Sequence, residues 1–287
     1  MDDPMDIDSD FYGDEETIAS LNARVSSFNP PKGPRAHGLP THLIRPSPTA
    51  SADHLHNRYA GHAGAWQLSE TVDAFLARLP PSTTPVTLDI DWIWITNPFI
   101  PPSPPLSFDP VALFEEGGMA RLHLLTSFIT QANASRKPAT VIGREIGRER
   151  ALAVQQILDL AQHLDIKEGK WMLFPEPCYV DEVWGVVARY TASGELGISA
   201  KVAPLEESGS EKERLICVYT RDFRDKEDIA RVLRRLREVG LVKEKKGRIY
   251  YKCDAFTYLG IGGGNTWGIK ASMYSSTELF EYMKKQA

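Results

Sequence analysis

Five cations stand where an anion could be held: Lys170, Lys201, Arg214, Arg221 and Lys252. Each falls in a short apolar run, on its polar side, or at one of its ends. Cations converging on one face of a sheet make a phosphate or carboxylate pocket. A lysine in apolar surroundings also has a lowered pKa and can act as a base. Tyr219, Tyr258 and the pair Trp92 and Trp94 are the aromatic side chains that could line such a pocket. Alternation over 87–96 puts Leu88, Ile90, Trp92 and Trp94 on one side of a strand, and Asp89, Asp91, Ile93 and Ile95 on the other. The tryptophan pair reads first as packing beneath helices, since large aromatics in strands mostly serve the core. The other reading is a platform on which a base stacks. Asp89 and Asp91 could be paired catalytic carboxylates, but an exposed strand face is the simpler account. The bland alternative to any pocket is lysines that lay their stems along a sheet edge and keep their heads in water.

The elements that must position these residues are legible from periodicity. Residues 170–174, bounded by Gly169 and Pro175, read as a buried strand. Over 180–190, Val180, Val183, Trp184, Val187 and Ala188 make one helical face. Residues 197–202 and 214–220 alternate as strands, the second with Leu215, Cys217 and Tyr219 on one side and Ile216 and Val218 on the other. A helix follows, capped by Asp225, with Asp228 in its first turn, Ile229, Val232, Leu233 and Leu236 as its stripe and Gly240 at its end. A fourth strand covers 248–252. Strand, helix, strand, strand, helix gives an α+β fold, a curved antiparallel sheet with helices packed on one face.

Ahead of this run, a helix follows Trp66, with Val72, Phe75, Leu76 and Leu79 inward and Pro80-Pro81 as its stop. Residues 97–110 hold six prolines and read as an extended loop. Helices are expected at about 110–133 and 144–165, with a turn at 135–138. The second buries Ile146, Val154, Ile157, Leu158, Ala161 and Leu164. Arg144, Arg148 and Arg150 would sit at its start, where they could complete an anion site or pair with Glu145 and Glu149, which is favoured. The arginines of 231–237, with Lys243, Lys245 and Lys246, could follow an RNA backbone, but a charged face opposite an apolar stripe is usually only solvated. Gly260 to Gly268 lacks the Lys-Ser/Thr of a phosphate loop and reads as a turn, with Trp267 placed to close over a ligand. A last helix spans 276–284.

The segments GKWMLF, VDEVW, GISAKV, ICVYTRDF and YKCDAFTYLGI together resemble the basophilic leukaemia expressed protein family, a domain of unknown function. That family looks like the fold of the mRNA cap-binding initiation factor of the 4E class. The resemblance covers residues 58–276 and is most specific after Gly169. By this resemblance Trp171 and Trp184 match packing positions and Tyr219 lies near a stacking position, while Trp66, Trp92 or Trp94 would have to supply the rest. The spacing is also similar to phosphothreonine lyases and the lyase domains of lanthipeptide synthetases, at Lys170, Met172, Lys201 and Arg214. This second resemblance implies that Lys201 abstracts a proton alpha to a carbonyl while Lys170, Arg214 and Lys252 hold the leaving phosphate. The histidine that would serve as general acid is Met172 here, and no histidine follows His163. Tyr219, Tyr258 or an upstream histidine would have to replace it.

The 287 residues carry a formal charge of −5. Eight acidic groups and no Lys or Arg lie in the first 16 residues, and removing those eight charges from −5 leaves +3. That mild excess argues against a duplex-DNA binder. Residues 1–57 read as an acidic, then proline-bearing disordered tail, and 58–287 as one domain. Phe11-Tyr12 in the acidic block could dock a protein partner, although a solvated tail is favoured. His54, His56 and His62 have no metal-ligand spacing, and the three cysteines fit neither a zinc site nor a paired disulfide framework. No cofactor or metal is implied. Reduced cysteines, the lack of an apolar span and the lack of a signal peptide point to the cytoplasm or the nucleus and away from a membrane. The favoured reading is a binding module for a phosphorylated ligand: a small molecule, an RNA cap-like group or a phosphopeptide. A phosphate-eliminating enzyme and a protein-interaction scaffold are the alternatives.

Overall fold

The computed structural model describes residues 55–102, 107–206, 213–243 and 247–286. Its centre is a six-stranded sheet in the order β1-β3-β4-β2-β5-β6, every neighbouring pair antiparallel. The strands are β1 (Ile93–Thr96), β2 (Gly169–Leu173), β3 (Ser199–Val202), β4 (Ile216–Thr220), β5 (Tyr250–Cys253) and β6 (Tyr274–Ser275). Seven α-helices are described: α1 (Val72–Arg78), α2 (Pro110–Ala134), α3 (Ala139–His163), α4 (Val180–Ala192), α5 (Lys226–Glu238), α6 (Asp254–Tyr258) and α7 (Ser276–Gln286). The fold is α+β, as the order of elements predicts.

Register decides which side chains share a face. Ile95, Ala200, Val218, Trp171 and Tyr251 lie in one cross-strand row. Ile93, Val202, Ile216 and Leu173 lie in another on the same face, and all nine are buried. α4 packs against β1 and β3, α5 packs against β4, and α1 lies on α4. Trp171 ties the layers together, since its indole Nε1 donates to the Ile229 carbonyl of α5 at 3.1 Å. α5 forms because Asp225 accepts from the Asp228 amide at 3.0 Å and because Ile229, Val232, Leu233 and Leu236 recur on one side. Gly240, at φ +82°, ends it in the left-handed region that glycine occupies freely. α2 and α3 form a hairpin that meets the sheet through α6.

Several expectations are corrected. The strand expected over 87–96 is only Ile93–Thr96, because Thr87 and Ile90 close a turn: each amide donates to the other's carbonyl, at 3.0 and 3.3 Å. Leu88 is fully exposed as a result. The helix expected at 144 begins at Ala139, so Arg144, Arg148 and Arg150 lie inside it rather than at its open amides. The anion site proposed there has no basis. Its buried residues are Ala153, Ile157 and Ala161, with Val154 and Leu158 only partly covered. Trp267 does not close over the lysines; its Nε1 donates to the Thr126 hydroxyl of α2 at 3.0 Å. The arginines of α5 are engaged within the protein: Arg231 with Asp228, Arg235 with Glu195 and Glu238, and Arg237 over the Phe280 ring. Lys245 and Lys246, Phe11-Tyr12, His54 and the rest of the first 54 residues lie outside the described residues. Asn57 is buried and donates to the Trp66 carbonyl at 2.7 Å.

One margin of the sheet is occupied and the other is short. Beside β1, Trp66 donates to the Trp94 carbonyl and Trp94 donates to the Gly64 carbonyl, both at 2.9 Å. Gly64 must be small there, because a Cβ would sit 2.5 Å from the Trp92 carbonyl oxygen. At the other margin β6 is two residues long and runs straight into α7.

Candidate functional site: the lysine face of the sheet

The face opposite the helices of the core carries the charges. One cross-strand row reads Thr96, Ser199, Tyr219, Lys170, Lys252, and the next reads Trp94, Lys201, Cys217, Met172, Tyr250. Lys170 and Lys201 are not on adjacent strands; β4 runs between β2 and β3 and places Cys217 and Tyr219 between them. Trp92 and Trp94 are not a packing pair beneath the helices. Ile93 and Ile95 fill the core, and the indoles lie on the lysine side.

The three lysines are in different states. Lys170 is 6% exposed, and its ammonium is 2.5 Å from Asp254 Oδ1 and 3.0 Å from the Thr257 hydroxyl. Lys201 has no hydrogen bond or ion pair with another described residue. Its Nζ stands 3.8 Å from the centre of the Trp92 ring, 4.8 Å from Trp94 and 6.0 Å from Tyr219. Such rings attract a cation through their negative faces. Burial pushes the Lys201 amine below the usual lysine value, and the nearby Lys170 charge adds to that. Lys252 is pushed down in the same way, by burial first and then by Lys170 beside it.

Around the lysines, aromatic rings form a partial roof. Tyr59 lies 4.6 Å from Trp94 centre to centre, and Trp94 stacks at 6.1 Å on Tyr219. Burial raises the Tyr59 phenol to about 12 and the Cys217 thiol to about 11, so both stay protonated at neutral pH. Tyr219, only 4% exposed, is raised further still. Arg58 and Glu168 pair at 2.8 Å at one end of this face, and burial raises the Glu168 carboxyl despite the pair. Arg221 follows the end of β4, is exposed, and its charge is felt by Glu168. Tyr258, 41% exposed on α6, is raised by burial and then by Asp254 and Glu168.

Arg214 does not join the group. Strand alternation puts it with Ile216 and Val218, it is 5% exposed, and its guanidinium donates to the Pro204 carbonyl. Its backbone amide donates to Pro175 at 3.0 Å. Asp89 and Asp91 are exposed and lie outside the strand. The sequence reading passed over Asp254, Thr257, Arg58, Tyr59 and Glu168. Asp254 had a signal, two residues after Lys252 at a strand end, while Arg58 and Tyr59 lie in a loop without periodicity.

Cys178 is exposed, Cys217 and Cys253 are buried, and all three are free. Among the described residues no group of three or more His, Cys, Asp or Glu is placed to hold a metal. Nor is any described helix long and apolar enough to cross a membrane.

Comparison with solved structures finds an Ascaris suum eIF4E-3, crystallised in complex with m2,2,7G cap, at 15% identity and a TM-score of 0.27. The match covers 38% of this chain and 58% of that one. Residues 22–260 match the family described as basophilic leukemia-expressed protein Bles03. That stretch holds the whole sheet except β6, both rows of the lysine face and the helices behind them, and the chain belongs to the Bles03 family.

Proposed function

We propose that the lysine face binds a phosphorylated ligand, with Lys201 and Lys252 meeting the anion and Trp92 and Trp94 offering ring surface to a planar group. The observation that carries this reading is Lys201. A half-buried ammonium among three rings, with no carboxylate beside it, is costly to keep unless something anionic meets it. Lys170 differs, since Asp254 already neutralises it; it holds α6 in place and sets the field around the other two. Arg221 and Tyr258 stand at the rim.

A thermal-shift series on the full chain tests the reading, using inorganic phosphate, common nucleotides, cap analogue and a phosphothreonine peptide. A ligand at a hundred times its Kd adds about 2.7 kcal/mol, which for a domain of this size raises the midpoint by about 5–10 °C. Lys201→Met should abolish that rise. No shift with any of the four, or a shift indifferent to Lys201→Met, would leave the scaffold reading in front.

Binding should also weaken with pH. The folded pKa of Lys201 lies below its unfolded value, so the ammonium is intact below the folded pKa and is lost as pH rises through it. Anion affinity should fall over that window. The stability of the free protein should move the other way. Between the lowered folded pKa and the unfolded value the unfolded chain binds more protons, so stability rises with pH relative to Lys201→Met. Unfolding of both proteins across pH 7–10.5 checks the sign.

Elimination is the second reading, favoured by the same lowered Lys201 amine. Lys201 would take the alpha proton of a phosphothreonine, the C–O bond to phosphate would break, and an alkene would form. Met172, in the lysine row, offers no proton donor. A phosphopeptide that loses phosphoric acid in mass on incubation would establish this reading; an unchanged mass would leave binding alone.

A further inference from the structure

The lysines of the sheet differ in what their nitrogen can do. Asp254 and the Thr257 hydroxyl hold Lys170 Nζ as an ammonium, which has no lone pair to give. Lys201 Nζ has no hydrogen bond or ion pair with another described residue, and it stands half-buried over the face of the Trp92 ring. Burial, and with it the Lys170 charge, favours its neutral form. Desolvation and a neighbouring cation are the two conditions that make a lysine an amine nucleophile toward carbonyls.

The rings around Lys201 fix what such an amine accepts. Nζ is 3.8 Å from the centre of Trp92 and 4.8 Å from that of Trp94. A flat group bonded to this nitrogen therefore begins its plane against an indole face, within the range at which aromatic rings stack. Lys252 stands on the same face in β5, with β4 and β2 between it and β3. Three strand spacings separate the two strands by about 14 Å. A ligand that meets both lysines has one end at each, and the two ends need not be alike.

Resting on the phosphate-binding reading of this face, we propose that Lys201 forms an imine with a phosphorylated aldehyde or ketone. The flat part of that ligand lies on Trp92 and Trp94, and its phosphate lies toward Lys252. The nitrogen lone pair adds to the carbonyl carbon, the C–O bond breaks as C=N forms, and both amine protons leave with the oxygen as water. Amine and carbonyl thus give imine and water, with no oxidant or reductant. Protonated, the imine keeps a positive charge over the same rings, which favour it there.

Pyridoxal 5′-phosphate, a flat aldehyde that carries a phosphate, is the probe. The full chain is mixed with one equivalent, borohydride reduces any imine to a stable amine, and peptide mapping locates the label. Lys201 should be labelled about tenfold faster than the exposed Lys137 and Lys270. Equal labelling of the three would overturn the imine. Pyridoxamine 5′-phosphate has the same ring and phosphate but no carbonyl, and it should raise the unfolding midpoint. If it does so while Lys201 stays unlabelled by the aldehyde, the imine fails and phosphate binding stands; if neither happens, both fail. Lys252→Met should slow labelling of Lys201 by the phosphorylated aldehyde about fivefold and leave labelling by pyridoxal, which lacks the phosphate, unchanged. Equal slowing of both would overturn the place given to the phosphate.

Discussion

Asp254→Ala should destabilise the fold by about 3–5 kcal/mol, the loss expected when one partner of a buried ion pair is removed. Lys170 is 6% exposed and cannot turn to water without disturbing β2, which is paired on both sides. Its remaining partner would be the Thr257 hydroxyl, which cannot balance the charge. Lys252, directly across from Lys170, adds repulsion once Asp254 is gone. The pair itself contributes little over an apolar substitute. Lys170→Met with Asp254→Leu should therefore return to within about 2 kcal/mol of the native protein. Urea unfolding measures both. A loss under about 1 kcal/mol in the single variant would mean that Lys170 is solvated and Asp254 is not holding it.

Trp171→Ala should cost about 3–5 kcal/mol, in the range for emptying a buried tryptophan site. The indole is fully buried, stands 5.4 Å edge-on to Tyr251, and donates across the layer to α5. The surrounding strand and helix cannot collapse into the space, because Val218 and Tyr251 are fixed beside it by register. Trp92→Ala makes the contrast. Trp92 is half-buried beyond the end of β1, so its loss should change stability by less than about 1 kcal/mol while removing ligand-dependent stabilisation. If the two variants lost stability equally, Trp92 would be a core residue and the lysine face would lose its ring platform.

Those two tryptophans also mark what the sequence made legible. Trp171 sits in GKWMLF, an apolar run bounded by glycine and proline, and its buried strand follows from that. The helix over Asp225 to Gly240 follows as directly from cap, stripe and stop. Which face of 87–96 turned inward did not follow, because β-branched isoleucines and tryptophans alternate and both are apolar. The outcome rests on tertiary packing: α4 lies against β1 on the isoleucine side. Strand order was likewise hidden. Lys170 and Lys201 share a face with β4 between them, and only long-range pairing decides that. The carboxylate that neutralises Lys170 comes from residue 254, 84 positions away in the chain, and its place beside Lys252 at a strand end does not say which lysine it meets.

The margins of the sheet, one occupied and one short, have a consequence for how this protein meets others. A strand with an unpaired row of amides and carbonyls is a template for edge-to-edge aggregation or for a peptide donated as an extra strand. Here Gly64 and Trp66 take the free row of β1, and β6 turns away after two residues. Among the described residues neither margin offers a long free run to template another chain, and a concentrated solution should resist fibre formation even when ligand is absent.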